Sequence, residues 1–330
     1  MPTSPPGLSS QSSYSRQITG LLELRLFATR LAKRDRRPLT PRDLAILVAL
    51  DQYRYLDRHQ LQALFFAGPR SCQYRLEWLV RQGLVRTWRV TMRPGFVRRA
   101  SIYFLSPNGA RALAESRDDD PLAYVQRADH ALTRHYHLVH DLQASQFFVD
   151  LAMASRQLPD QGLYHWVGEQ GVRRGYAEEE ERGPIADGWG RFLTGDREVL
   201  LHLEWDRGSE LAKRLRLKLG VYVAYFVDRP GASQNQVLVV APNDQREEQV
   251  ARVAFSVLPR GRECCRLWTT TTARLGASGP LGNVWRGVER STPRIALPFM
   301  AGRPRSSRRV EDCIGKPRWW ERRPGGGQGA

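Results

Sequence analysis

Residues 68–83 have the sequence GPRSCQYRLEWLVRQG, and this stretch decides the fold predicted for the first part of the chain. Its spacing predicts a helix over Pro69–Gln82 with one apolar stripe, formed by Cys72, Leu76, Leu79 and Val80. The other side of this helix carries polar and basic residues: Arg70, Ser71, Gln73, Arg75 and Arg81. One face is therefore suited to packing and the other to contact with a polyanion. Gly83 is placed to end the helix in a left-handed conformation.

A basic β-hairpin is predicted directly after this helix. The segments LVRTWRV (84–90) and SIYFL (101–105) are rich in β-branched and aromatic residues, and Pro94-Gly95 between them indicates a turn. Three arginines surround the turn: Arg93, Arg98 and Arg99. The hairpin thus has a cationic tip.

Two shorter helices are predicted before residue 68. Thr40 is an N-cap with Pro41 in the first turn, and Asp57 caps a second helix. Two helices, a third helix and a hairpin are the elements of a winged helix-turn-helix, in which the third helix enters the major groove and the wing contacts the DNA backbone. We predict such a DNA-binding domain over residues 39–116. The alternative is a small helical domain whose arginines only increase solubility.

The net charge of +17 is unevenly distributed. Residues 1–38 carry 7 basic and 2 acidic side chains, and residues 39–116 carry 12 and 5. Residues 117–289 carry 22 and 24, whereas residues 290–330 carry 10 and 3. We therefore expect double-stranded DNA as a partner of the N-terminal domain. Residues 1–38 are predicted to be a basic, mostly disordered arm, and residues 290–330 a basic disordered tail.

The four cysteines form no CxxC pair and have no histidine partner at zinc-finger spacing. The N-terminus lacks the pattern of a secretion signal, and no stretch of eighteen apolar residues occurs. We therefore predict a cytoplasmic protein with no membrane partner.

A mixed α/β domain is predicted over residues 130–275. One long helix over His130–Ser155 leads into three strands, at 163–167, 184–192 and 199–205, followed by a helix from Ser209 to about Phe226. A strand at 237–242, a helix over Asp244–Val257 and a strand at 265–271 complete it. The complete fold prediction from these elements is α+β: an N-terminal winged helix-turn-helix followed by a mixed α/β domain.

Three carboxylates are predicted to lie at one edge of this sheet: Asp187, Glu204 and Asp206. Carboxylate oxygens are the ligands that Mg²⁺ prefers, and a bound Mg²⁺ polarises phosphate and activates water. The spacing resembles the Asp…Glu-x-Lys signature of the restriction-endonuclease-like PD-(D/E)xK fold. Asp206 stands where that signature has lysine, which argues against catalysis, although Lys213 or Lys218 on the next helix offers a displaced ammonium group. If the domain is active, the resemblance implies catalytic roles for Asp187, Glu204, Asp206 and Lys218, with Asp187 and Glu204 as metal ligands.

Longer motifs resemble the bacterial replication-relaxation protein family. They include LTPRDLAILVAL and RLEWLVRQGLV in the first half, and HLVHDL, PIADGW, LEWDRGSE and KLGVYVAYF in the second. This resemblance covers about residues 39–272. It implies a DNA-binding protein concerned with replication, relaxation or mobilisation of a plasmid or mobile element.

Two functions are consistent with the sequence. The first is a non-enzymatic, sequence-specific or structure-specific DNA-binding accessory protein with a degenerate nuclease domain, no required cofactor and a replication or mobilisation protein as partner. The second is a Mg²⁺-dependent DNA endonuclease targeted by its winged helix. In either case the predicted DNA contacts are Arg70, Ser71, Gln73, Arg75, Arg81, Arg93, Arg98 and Arg99.

Overall fold

The computed structural model describes residues 39–90, 100–133, 137–289, 293–305, 307–316 and 319. The predicted N-terminal arm and the predicted tip of the hairpin, with Arg93, Arg98 and Arg99, lie outside these residues.

In the described parts of residues 39–116, the N-terminal unit contains four helices and a small sheet. Its helices are α1 Pro41–Tyr53, α2 Arg58–Phe65, α3 Pro69–Arg81 and α4 Pro107–Ser116, and its strands are β1 Leu56–Asp57, β2 Val85–Val90 and β3 Ala100–Leu105. The strands form an antiparallel sheet in the order β1-β3-β2.

Local capping chemistry sets the starts of the first two helices. The Thr40 side chain accepts from the Asp43 backbone, and the Asp43 carboxylate accepts from the Thr40 backbone, which forms a complete capping box. Asp57 and Gln60 form a second capping box at α2. Gly83 follows α3 at a φ of 69°, as expected for a glycine that ends a helix.

Two helices connect the N-terminal unit to the large sheet: α5 Pro121–Thr133 and α6 Leu138–Ala154. The prediction of one helix over His130–Ser155 is therefore wrong. His137 precedes α6 with a non-helical backbone, at φ −106° and ψ 3°. The segment contains neither glycine nor proline, so its composition gives no sign of the break.

The α/β unit is built on a mixed sheet. Its strands are β4 Gln161–Gly168, β5 Gly188–Thr194, β6 Arg197–Trp205, β7 Asn235–Ala241, β8 Arg266–Thr271, β9 Arg286–Gly287 and β10 Arg303–Pro304. Strands β4 to β9 lie in chain order, and β10 pairs with β6. The pairs β6–β7 and β7–β8 are parallel, and the other pairs are antiparallel.

Helices cover both faces of this sheet. The remaining helices are α7 Glu169–Glu178, α8 Ala212–Phe226, α9 Asp244–Val257 and α10 Thr272–Ser278. Phe148 of α6 belongs to the same buried cluster as Leu201 and Leu203, whereas Leu219 of α8 belongs to a second cluster with Val237 and Val239. Because alternate residues of a strand point to opposite faces, α6 covers one face, and α8 and α9 cover the other. The sequence analysis did not predict α7, and β5 begins at Gly188 rather than at residue 184.

The two units share one hydrophobic core. Leu44 and Leu76 of the N-terminal unit belong to the same buried cluster as Trp166 and Leu203 of the α/β unit. The rings of Tyr53 and Trp166 stack with centroids 4.0 Å apart. The N-terminal unit is therefore held firmly against the sheet.

The C-terminal segment is folded where the structure describes it, so the predicted disordered tail is wrong for residues 293–305 and 307–316. Leu297 and Met300 are fully buried, and the Ile314 backbone donates to Leu163 O at 2.8 Å. Lys316 Nζ donates to Ser155 O at 2.9 Å and to Arg156 O at 3.2 Å. The segment has little regular secondary structure and is held by individual side chains, which explains why it shows no periodicity.

Candidate functional site

Helix α3 is amphipathic, as predicted. Cys72, Leu76 and Leu79 are fully buried, and Trp78 is also buried. The opposite surface exposes four of the predicted contact residues: Arg70, Ser71, Gln73 and Arg81. This exposed surface also includes two residues that the prediction omitted, Tyr74 and Glu77. Gln73 Nε2 donates to Glu77 Oε1 at 2.9 Å.

Arg75, in contrast, is not on the exposed surface. Its Nε donates to Asp43 Oδ1 at 2.6 Å, and Asp43 is completely buried. The guanidinium also lies 4.1 Å from the centroid of the Trp78 ring. The prediction that Arg75 contacts DNA is therefore corrected, because this side chain neutralises a buried carboxylate that also caps α1.

Strand β2 adds two exposed arginines, Arg86 and Arg89, next to α3 in the chain. They were missed because the sequence analysis placed the hairpin's positive charge at its tip. Because they are three positions apart in a strand, Arg86 and Arg89 point to opposite faces, so no simple alternation in VRTWRV marks them as a pair.

A second candidate site lies where β5 begins and β6 ends. The Asp187 backbone N–H donates to Leu203 O at 3.0 Å, and Asp187 Oδ2 accepts from the Trp205 backbone N–H at 2.7 Å. These bonds hold Asp187 beside Glu204, which is 3 % exposed. The structure thus brings two of the three predicted acids together.

Two residues of α8 complete this site. Lys218 Nζ contacts Glu204 Oε2 and lies 3.6 Å from Asp187 Oδ1. Tyr222, one helical turn later, donates to Glu204 Oε1 at 2.5 Å. Lys218 rather than Lys213 is therefore the displaced lysine that reaches the carboxylates.

His140 of α6 approaches the same site across the end of the sheet. Its Nε2 lies 3.1 Å from Asp187 Oδ2 and 3.1 Å from Trp205 O, and its Nδ1 lies 3.8 Å from Asp141 Oδ1. The sequence analysis assigned His140 no role at this site. Contact with Asp187 depends on the packing of α6 against the sheet.

The electrostatics of this site follow from burial and close pairing. Burial and the neighbouring Asp187 raise the pKa of Glu204 to about 8. An ion pair alone would lower the pKa of the acid, so desolvation outweighs the contact with Lys218. Burial opposes the charged form of Lys218, but Glu204 and Asp187 outweigh it and raise the pKa of the lysine.

His140 and Asp187 stabilise each other's charged forms. Burial opposes protonation of His140, but hydrogen bonds with Asp141 and Asp187 outweigh it and raise the pKa of His140 to about 10. Burial also disfavours the Asp187 carboxylate, yet His140 and Lys218 hold its pKa below the ordinary value. At neutral pH two cations therefore face Asp187 and a largely protonated Glu204.

Asp206 lies just beyond β6 and does not join this group. Its carboxylate accepts from Arg246 of α9, with Nε 2.5 Å from Oδ2 and Nη2 3.2 Å from Oδ1. The prediction that three acids meet at one site is therefore wrong. Asp187 and Glu204 meet with Lys218, whereas Asp206 is held separately by Arg246, which lies 40 residues away in the chain.

This arrangement does not fit a Mg²⁺ site. Hard divalent cations bind carboxylate oxygens directly, and here Tyr222, Lys218 and the Trp205 backbone occupy the oxygens of Glu204 and Asp187. Within the described ranges, no three histidine, cysteine, aspartate or glutamate side chains are grouped to hold a metal. A cavity of about 20 Å³ beside Asp187 has room for little more than one water molecule.

The fold and these sites define a mixed α/β protein that combines a basic helical unit with a charged network at the edge of a sheet. The family model described as replication-relaxation matches residues 47–239, so the chain belongs to the replication-relaxation family. Membership associates the chain with replication or relaxation. Neither the comparison with curated proteins nor that with solved structures found a significant match. No helix within the described ranges combines the length and apolar character that a membrane span needs.

Proposed function

We propose that this protein is a non-enzymatic accessory factor that binds duplex DNA during replication, relaxation or mobilisation of a plasmid or mobile element. The observation that carries the proposal is the exposed polar surface of α3, with Arg70, Ser71, Gln73 and Arg81, on a helix whose other side is buried. A rigid helix with an exposed basic surface is suited to the major groove of DNA.

The surrounding elements support a winged helix-turn-helix. Helices α1 to α3 precede β2 and β3, which pair antiparallel over Val85–Val90 and Ala100–Leu105. Strand β1 joins the same sheet at Leu56–Asp57. In this arrangement α3 reads base edges, while Arg86, Arg89 and the arginines of the tip contact the phosphate backbone.

A paired substitution tests the role of α3. Arg70→Ala with Arg81→Ala removes two charges from the proposed reading surface, whereas Arg252→Ala with Arg260→Ala removes two exposed charges from the α/β unit. For each base contact that is removed, we expect the α3 variant to lose about 1–3 kcal/mol of binding free energy. For each phosphate contact that is removed, the slope of log affinity against log salt concentration should fall by about 0.9. The measurement is fluorescence anisotropy with labelled duplexes at two salt concentrations. Equal affinities for the two variants and the wild type would remove α3 as the reader.

Substitution of Arg75 is expected to affect protein stability rather than DNA recognition. Arg75→Ala leaves the buried Asp43 carboxylate without its cation, so it should reduce stability rather than change the preference among DNA sequences. Sequence preference measured well below the unfolding temperature separates these effects.

The α/β unit is, on this proposal, an endonuclease-like scaffold without a hydrolytic centre. The alternative, a metal-dependent endonuclease, is favoured by one observation: Lys218 lies beside Asp187 and Glu204, so an aspartate, a glutamate and a lysine share one site. Supercoiled plasmid incubated with the protein and Mg²⁺ or Mn²⁺ distinguishes the two. We expect retardation on a gel without nicking. Nicking by the wild type that is lost in Glu204→Ala, with retardation unchanged, would establish the nuclease instead.

A further inference from the structure

Four exposed cations lie close together in the sequence around the start of α8, on the surface of the α/β unit. They are Arg207 in the loop after β6 and Lys213, Arg214 and Arg216 on the first turns of the helix. We call these four residues the α8 basic patch. Glu210 is the single acidic residue between positions 207 and 216. The segment therefore carries a local charge of +3 in a region of the sequence that is slightly acidic as a whole.

The patch differs from other arginines of this unit in having no role in its internal ion pairs. Arg246, Arg274 and Arg303 are held by Asp206, Glu247 and Glu198 respectively. In the part of the chain that the structure describes, the patch residues make no ion pair or side-chain hydrogen bond of this kind. Their charges are thus available to an external anion.

The carboxylates buried beneath α8 do not cancel the positive charge of the α8 basic patch. Asp187 and Glu204 lie close to the helix, and uncompensated carboxylates there would repel phosphate. Lys218 and His140 face these acids, and Arg246 holds Asp206. Because the negative charges are compensated internally, they do not cancel the field of the α8 basic patch.

We propose that the α8 basic patch is a second contact site for the sugar-phosphate backbone of duplex DNA, on a DNA segment flanking the one bound by α3. The inference rests on the proposed DNA-binding function and extends it to the α/β unit. The shared core packs the N-terminal unit against the sheet, and on this proposal a sufficiently long duplex contacts both surfaces. The second contact adds affinity and salt dependence without reading bases.

Exposed apolar residues on α8 and at its N-cap define the competing interpretation, which is a protein-binding surface. Leu211, Leu217 and Val221 are exposed by 73 %, 63 % and 49 % respectively. Exposed aliphatic groups on a helix also fit a protein surface. The cations and the aliphatic groups therefore need separate variants in the test.

The experiment compares three variants of the full chain on two duplexes that share the same bound sequence. The patch variant is Lys213→Ala, Arg214→Ala and Arg216→Ala. The charge-matched control is Arg252→Ala, Arg260→Ala and Arg266→Ala, and the apolar variant is Leu217→Ser with Val221→Ser. One duplex has about 12 base pairs, little more than one helical turn, and the other has about 40.

We expect the patch variant to bind the long duplex at least tenfold more weakly than the wild type at low salt. Its salt slope should fall by up to about 2.7, which is about 0.9 for each phosphate that the variant no longer neutralises. On the short duplex it should bind as the wild type does. The charge-matched control and the apolar variant should match the wild type on both duplexes.

Three results would overturn the inference. The first is an unchanged affinity of the patch variant for the long duplex, and the second is an equal loss of affinity in the charge-matched control. The third is a loss of affinity in the apolar variant alone, which would assign the surface to a protein partner. If the wild type binds neither duplex, the proposed function fails as well. If the Arg70 and Arg81 variant loses binding while the patch variant does not, only this inference fails.

Discussion

Lys218→Met should destabilise the protein by an amount that depends on pH. The substitution keeps much of the side-chain volume but removes the cation beside Asp187 and Glu204. Glu204 is largely protonated at pH 7, so the ion pair that the substitution breaks there is the one with Asp187, and breaking a buried ion pair from one side costs about 3–5 kcal/mol. The Lys218 side chain is 33 % exposed, so water screens part of the interaction and the lower end of that range applies. We therefore expect a loss of about 3 kcal/mol in the free energy of unfolding at pH 7.

The dependence on pH follows from the pKa of Glu204. In the wild type this pKa is raised from 4.5 to about 8, so the folded state holds a proton that the unfolded state releases. The contribution of Glu204 to the free energy of unfolding is fully present below about pH 4.5 and is lost as the pH rises through about 8. Without Lys218 the pKa rises further, and the loss continues above pH 8. The difference in unfolding free energy between the wild type and the variant should therefore grow by about 1.4 kcal/mol for each pH unit above 8.

Urea unfolding followed by tryptophan fluorescence measures this deficit at pH 6, 8 and 9. Lys213→Met is the matched control, because it removes an exposed lysine from the same helix and should change stability by no more than about 0.5 kcal/mol. Adding Glu204→Gln to Lys218→Met should remove the dependence above pH 8. Equal stability of the Lys218 and Lys213 variants, or a deficit that does not change with pH, would refute the reasoning.

Three further expectations concern other buried charges. The raised pKa of His140 means that its stabilisation is complete below about pH 6.5 and lost as the pH rises to about 10; His140→Gln should flatten the decline between pH 8 and 10 in urea unfolding. Asp43→Asn breaks the pair with Arg75 and should lower the free energy of unfolding by about 3 kcal/mol, measured by thermal unfolding. Glu77→Gln changes an exposed residue and should leave this free energy nearly unchanged, so equal effects of the two substitutions would contradict the stabilising role of the Asp43–Arg75 pair. Lys316→Met leaves buried carbonyls after α6 without their donor, so it should cost about 1–3 kcal/mol and expose residues 293–316 to limited proteolysis; an unchanged cleavage pattern would show that the segment is held elsewhere.

Local signals predicted the regular elements well. The caps at Thr40 and Asp57 set the starts of α1 and α2, and the predicted helix over Asp244–Val257 has the observed bounds of α9. These predictions succeeded because capping and strand composition act within a few residues. The prediction of one helix over His130–Ser155 was wrong because no glycine or proline marks the non-helical backbone at His137.

Sequence patterns alone predicted the family, the mixed α/β character, the amphipathic α3 and the proximity of Asp187 to Glu204. Which charged side chains remain available to an external partner depended on tertiary packing. It paired Arg75 with Asp43, Asp206 with Arg246 and Lys218 with the two acids, and it anchored the C-terminal segment through Lys316. These partners lie up to 161 positions apart in the chain. A charged residue has the same sequence signature whether it faces solvent or a buried counterion, because its partner is fixed by packing distance and desolvation rather than by neighbours in the chain.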